Sequence, residues 1–265
     1  MAERNDTPHK IAELLRAFVG KTEKKYYTSA VILAAGLSTR MGDGVSKQFL
    51  LIDGIPVVAR SVIQFEKSEF INEIIVVCKK EEIAFYNDFV NDYGITKPFK
   101  VIEGGETRQE SARLGVDAVD KKSKYIAIHD AARCLITEEL IARVCHNAYI
   151  SRDRGAILAI KSTDTVKIAD KNAYIVSTPE RKLTWQAQTP QVFPTNAFRA
   201  AAYIARDENI EGTDDASLLE HIKIPVKLVE GSRENIKVTE PLDILIAEAI
   251  LKSRETVIDD GGENK

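Results

Sequence analysis

From Ser29 onward, short runs of aliphatic and β-branched residues alternate with stretches whose apolar positions recur at helical spacing. Ser29–Leu33, Glu73–Cys78, Phe99–Glu103, Lys124–His129 and Gly155–Ile160 read as strands, and Val57–Lys67, Lys80–Asp92, Arg108–Val119 and Thr137–Ser151 as helices. Runs such as IIVVC and YIAI are apolar at every position, not at alternate ones. That pattern belongs to parallel strands covered by helices on both faces. The expected fold is α/β, a mostly parallel, doubly wound sheet of the Rossmann type.

The rhythm then breaks. Asp164–Ile168 and Ala173–Thr178 flank the polar turn Ala169–Asn172 and read as a hairpin. Its strands are more polar than those of the sheet, so it is expected to project as an arm over about 161–183. Such an arm has few partners in its own subunit, which suggests that it docks on a second one. Helices return at Thr195–Asp207, Thr213–His221 and Pro241–Arg254, with a late strand at Val226–Glu230.

The ends read as appendages to one domain over 28–254. In residues 1–27, Thr7 and Pro8 form a helix start, and Ile11, Leu14, Leu15 and Phe18 share one apolar face. Glu13 and Arg16 interrupt any secretory core, and Glu3, Asp6 and Glu13 argue against an organelle transit peptide. A helix packed on the domain or on a partner subunit is expected there. The C-terminal 255–265 read as a flexible tail.

Composition narrows the function classes. The chain has 265 residues, 44% hydrophobic, enough for a real core. Its 37 Lys and Arg against 40 Asp and Glu give a net charge of −3, without the basic surplus of a non-specific nucleic-acid binder. No stretch approaches the ~18 uninterrupted apolar residues of a membrane span. Cys78, Cys134 and Cys145 show no CxxC spacing and read as reduced thiols of a cytoplasmic protein.

Open α/β sheets bind ligands beyond the carboxyl ends of their strands. After the first strand comes AAGLSTRMGDGVSKQ, Ala34 to Gln48. It lacks both GxGxxG and the Walker pattern. Its small residues allow close backbone approach to a phosphate, and Arg40 and Lys47 suit a polyphosphate. The same residues also fit a turn with two solvated cations. After the third strand, Gly104 to Ser111 is either an anion-accepting turn or a plain strand–helix connection. Asp130, at the end of the fourth strand, is a candidate carboxylate for Mg²⁺. His129 beside it reads as a hydrogen-bonded core histidine, not a general base. Lys237 is either a phosphate cation or a surface lysine. Taken together, these loops point to a nucleoside triphosphate.

Eight segments in order resemble the 2-C-methyl-D-erythritol 4-phosphate cytidylyltransferase family. They are AAGxxxRM (Ala34–Met41), KQ (Lys47, Gln48), GGxxRxxS (Gly104–Ser111), HDAAR (from His129), DTVK (from Asp164), QTPQ (from Gln188), TDDAS (from Thr213) and NIKVT (from Asn235). The resemblance implies a Rossmann-like nucleotidyltransferase whose β-arm embraces the partner of a homodimer. It implies a cytidylyl transfer from CTP to a sugar-alcohol phosphate, methylerythritol phosphate, with Mg²⁺ and with pyrophosphate released, in non-mevalonate isoprenoid synthesis. No nucleic acid or membrane partner is implied.

Carried over by position, Arg40 and Lys47 match the cations at the α-phosphate, and Asp130 matches the metal carboxylate. Ala34, Ala35, Gly36, Gly105, Glu106, Arg108 and Ser111 match the nucleotide loops. Lys237 and Arg181 match residues that position the sugar phosphate, Arg181 and Thr165 reaching across from the arm of the other subunit. Arg133 and Thr189 fall in matching substrate-site segments. Ser38, Ser46, Cys134 and Glu106 depart from the usual pattern without removing a charge, and residues 1–27 have no counterpart in the typical member. The alternatives are a cytidylyltransferase for ribitol 5-phosphate, a nucleotide-binding protein without turnover, and a structural dimer module.

Overall fold

A computed structural model describes residues 26–36, 46–151 and 154–259, with side chains as far as 255. The elements in chain order are β1 (Thr28–Leu33), β2 (Leu51–Ile52), β3 (Ile55–Pro56), α1 (Val57–Lys67), β4 (Glu73–Cys78), α2 (Phe89–Asp92), β5 (Phe99–Glu103), α3 (Arg108–Asp117), β6 (Tyr125–Asp130) and α4 (Glu138–Ile150). There follow β7 (Gly155–Lys161), β8 (Ile168–Ala169), β9 (Ile175–Ser177), β10 (Trp185–Pro194), α5 (Thr195–Asp207), α6 (Asp215–His221), β11 (Val226–Glu230) and α7 (Pro241–Asp259).

Seven strands form the main sheet in the order β11-β7-β10-β6-β1-β4-β5. β1 pairs in parallel with both β4 and β6, and β7 with β11. Because β1 is apolar at successive positions, it feeds two cores at once. Ala30 and Ile32 pack with Val58, Val62 and Phe65 of α1 on one face. Val31 and Leu33 pack with Ala112 and Val116 of α3 and with Phe198 of α5 on the other. Each fully buried Val, Ile or Phe side chain contributes about 1.5–3 kcal/mol. This two-sided burial is what the uninterrupted apolar runs require, and it makes the sheet doubly wound.

Several elements differ from the sequence-based expectation, among them the small β2–β3 hairpin, which the pattern does not show. The pattern shows no strand at β10, yet it is the longest described strand and runs antiparallel between β6 and β7. Its sequence WQAQTPQVFP holds polar residues and, within the run, Pro190 as well as the terminal Pro194, which argue against a central strand. The structure accommodates Pro190 by breaking register with β7 between Ala187 and Gln191, so the missing N–H is not needed. The segment expected as a helix over Lys80–Asp92 is a 3₁₀ turn at Lys80–Tyr86 followed by the short α2. There the buried rings of Tyr86 and Phe89 pack near Phe49 and Phe99, and these contacts outweigh helix propensity. The last helix runs to Asp259 rather than Arg254, since no Gly or Pro interrupts it before Gly261. The arm hairpin exists, but its paired strands β8 and β9 are shorter than expected. Asp170 closes its turn, accepting from the N–H groups of Asn172 and Tyr174.

The three cysteines are free and buried. No described helix is long and apolar enough to cross a membrane. The helix expected over 7–20 and residues 260–265 lie outside the described residues.

Candidate active site

The chain leaves β1 for β4 on one side and returns to β6 on the other, so the sheet has its switch point at β1. Such points leave a crevice at the carboxyl ends of the strands. A cavity of about 260 Å³ opens there. It is lined by Ala35 and Gly36 after β1, by Lys47 and Gln48, by Gly105, Glu106, Arg108 and Ser111 after β5, by Asp130 at the end of β6, and by Lys237.

Asp130 is the electrostatic centre. Its Oδ1 accepts from Nε of Arg108 at 3.0 Å, and its Oδ2 stands 2.7 Å from Nζ of Lys237. Burial acts to raise its pKa, but Arg108 and Lys237 outweigh burial and hold the carboxyl well below the ordinary aspartate value. It is therefore ionised at any neutral pH. Arg108 spans two carboxylates, since Nη1 and Nη2 also donate to Oδ1 and Oδ2 of Asp215 at 3.0 and 2.8 Å. Burial disfavours the charge on Arg108, yet Asp215 and Asp130 more than offset it and raise its pKa.

Lys237 arrives by a stitched path. The Val238 N–H donates to the Ala132 carbonyl at 2.8 Å. Asn235 is fully buried and donates to the Thr189 carbonyl at 3.0 Å, while Gln188 donates to the Ser232 carbonyl at 2.8 Å. The irregular part of β10 thus anchors the loop that carries Lys237. Arg133 adds a bond to the Asn235 carbonyl at 2.8 Å.

The glycine turn after β5 differs from an anion-accepting turn. The Gly105 N–H already donates to Oγ of Ser111 and the Glu106 N–H to Oε2 of Glu110. Thr107 caps α3 by accepting from the Glu110 N–H. A side chain at Gly104 would come within 2.8 Å of both Ala35 Cβ and Ser111 Oγ. Glycine therefore lets this turn close on the loop after β1.

The family model described as IspD, 2-C-methyl-D-erythritol 4-phosphate cytidylyltransferase, matches residues 28–253. The chain belongs to this family. A relative of that name from Caldanaerobacter subterraneus is 43% identical over 84% of this chain and 98% of its own length. Another from Syntrophus aciditrophicus is 38% identical over 85% of this chain and 96% of its own. The crystal structure of 4-diphosphocytidyl-2C-methyl-D-erythritol synthase from Anaerococcus prevotii superposes with a TM-score of 0.77 at 30% identity, covering 86% of this chain and 97% of that one.

Of the residues expected at the site of this family member, the cavity gathers Ala35, Gly36, Lys47, Gly105, Glu106, Arg108, Ser111, Asp130 and Lys237. Arg40 lies outside the described residues. Ala34 is buried in the core beneath the loop. Thr189 and Arg133 do not line the cavity. Oγ1 of Thr189 accepts from the Asp130 N–H at 3.1 Å and lies 3.0 Å from Nδ1 of His129. Thr165 and Arg181 are exposed on the arm and do not line the cavity of their own chain. His129 is fully buried against Phe65, and burial lowers its pKa to about 3, so it is neutral.

Asp215, Asn235 and Gln48 were not singled out as site residues. Each lies inside a quoted motif, but only the fold shows that Asp215 holds Arg108 and Asn235 supports the Lys237 loop. Among the described residues no group of three or more His, Cys, Asp or Glu side chains is set to hold a metal. A lone carboxylate still fits Mg²⁺, which keeps several waters and is completed by substrate phosphates. Asp130 is the carboxylate of the cavity lining that could do so, sharing that lining with Glu106.

Proposed function

We propose that this cavity transfers a cytidylyl group from CTP to 2-C-methyl-D-erythritol 4-phosphate, releasing pyrophosphate and 4-diphosphocytidyl-2-C-methyl-D-erythritol for isoprenoid precursor synthesis. The observation that carries the reading is the cluster of Lys47, Arg108, Asp130 and Lys237 at the switch point of a chain belonging to this family.

The attacking atom is a phosphate oxygen of the acceptor, anionic at neutral pH, so no side chain has to remove a proton. It forms a bond to the α-phosphorus while the α–β anhydride bond breaks, and the electron pair leaves on pyrophosphate. The barrier is electrostatic, one polyanion attacking another. Lys47 and Arg40 act on the α-phosphate and the leaving group. Lys237 holds the acceptor phosphate in line, which requires it to leave Asp130. Asp130, positioned by Arg108 and Thr189, would hold Mg²⁺ together with the triphosphate. The cation, when bound, supplies charge neutralisation at the phosphates. The backbone around Ala35, Gly36 and Gly105, with Glu106 and Ser111, receives the nucleoside.

The working unit is a homodimer with exchanged arms. On the arm, Tyr174 and Ile175 are 73% and 63% exposed, and Ile168, Val176 and Leu183 are exposed as well. Apolar residues in such number on one hairpin are in keeping with burial against a second copy. The exchange would bring Arg181 and Thr165 to the acceptor end of the partner's cavity. Three buried free thiols are in keeping with a cytoplasmic setting.

Pyrophosphate release with CTP and Mg²⁺ tests the reading, with methylerythritol phosphate and ribitol 5-phosphate in parallel. Release with the first alone supports it. Release with ribitol 5-phosphate alone keeps the reaction and overturns the acceptor, and binding of CTP without release in either overturns the activity.

A further inference from the structure

Asp215 is the first residue of α6, only 1% exposed, and does not line the cavity. Its helix is tied to β10 through Gln191, which donates to Asp214 Oδ2 at 2.8 Å and accepts from the Ala216 N–H at 2.9 Å. Asp214 caps the same helix by accepting from the Ser217 N–H at 3.0 Å. The carboxylate of Asp215 is thus fixed to the sheet before it meets Arg108.

An Arg fork can pair with one carboxylate through two parallel bonds. Arg108 makes that pair with Asp215, in the core, and turns its Nε edge toward Asp130. Nε and Nη2 both reach Oδ1 of Asp130, each at 3.0 Å, while Oδ2 faces Lys237. A fork without its inner anchor would be free to rotate and take both oxygens of Asp130.

We propose that Asp215 is a positioning residue: it holds the Arg108 fork inward, so that Arg108 orients Asp130 through Oδ1 and leaves Oδ2 to Lys237, free for a cation once Lys237 turns to the acceptor phosphate. Asp215 touches no substrate in this account and acts entirely through Arg108. The proposal rests on the roles given above to Arg108 and Asp130.

The test is a double-mutant cycle read by calorimetric titration with CTP at fixed Mg²⁺, and by the Mg²⁺ concentration that gives half-maximal CTP binding. Asp215→Asn is expected to weaken CTP binding about 10- to 100-fold and to raise the Mg²⁺ requirement, as loss of a residue orienting a metal ligand does. In an Arg108→Ala background the same substitution should change affinity by less than about twofold. A merely structural Asp215 would lower the melting temperature in both backgrounds and leave the Mg²⁺ requirement where it was. An undiminished loss in the Arg108→Ala background, or an Asp215→Asn protein with unchanged affinity, overturns the proposal. Unchanged affinity in Arg108→Ala alone would instead overturn the role of Arg108. Should Asp215→Asn fail to fold, Asp215→Glu keeps the charge, displaces the fork and enters the same cycle with the same outcomes.

Discussion

Nζ of Lys237 stands 2.7 Å from Oδ2 of Asp130, joining the loop after β11 to the end of β6. The pair satisfies both groups and keeps the lysine in the lining of the cavity. Lys237→Ala is therefore expected to lower turnover by about 10²–10³, the usual cost of one lost contact to charge in a transition state. Because the lysine side chain is partly exposed, its melting temperature should stay close to that of the parent. Pyrophosphate release and a thermal melt on the same preparation check both halves, and near-normal turnover would remove Lys237 from the mechanism.

Lys47 lines the cavity at the start of a 3₁₀ turn. Lys47→Ala and Arg40→Ala should each reduce turnover by about 10²–10³ as well. If the two cations act on the α-phosphate, the loss should sit in kcat more than in KM for the acceptor. A pure KM effect would move them to ground-state binding.

The proposed exchange of arms makes a prediction about mixed dimers. Arg181→Ala and Lys47→Ala homodimers should both be nearly inactive. Co-expressed, half of the dimers are mixed, and each mixed dimer has one intact site, made of Lys47 from one chain and Arg181 from the other. Activity should return to about a quarter of the parent value. No recovery would mean that Arg181 serves its own chain or none.

His129 sets a pH limit on stability. Burial lowers its pKa in the folded chain to about 3, against 6.5 unfolded. Between those values the unfolded chain binds more protons than the folded one, so stability is complete above about pH 6.5 and is lost as the pH falls toward 3. The slope for one such group reaches about 1.4 kcal/mol per pH unit. Asp130, held below its ordinary value, adds to this loss only near the acid end. Urea midpoints between pH 7.5 and 4 should fall accordingly. The ring signals of His129 should stay unshifted by NMR down to pH 4, and titration near 6.5 would contradict its burial as a neutral ring.

Much was legible in the sequence because it is locally encoded. Uninterrupted apolar runs at β1, β4 and β6 can be satisfied only between two helical layers, so the layering follows from the pattern alone. The loops at the strand ends carry their cations and carboxylates in plain view, and their order carries the family resemblance. Even the arm is legible as two short runs around one polar turn, although the residues that pair in it, Ile168 and Ala169 with Ile175 to Ser177, are largely apolar. What the pattern could not hold was the partner of each group. β10 looks like a poor strand by its own residues, and only pairing on both sides, with Pro190 in the gap, makes it one. From that gap come Gln188 and Thr189, which fix the Lys237 loop and Asp130. The glycine turn has its N–H groups taken by its own helix, a matter of where Ser111 and Glu110 fall in space. The chain from Asp215 through Arg108 to Asp130 joins residues distant in sequence across buried ground. Such bonds depend on three-dimensional proximity, which residue spacing along the chain does not record.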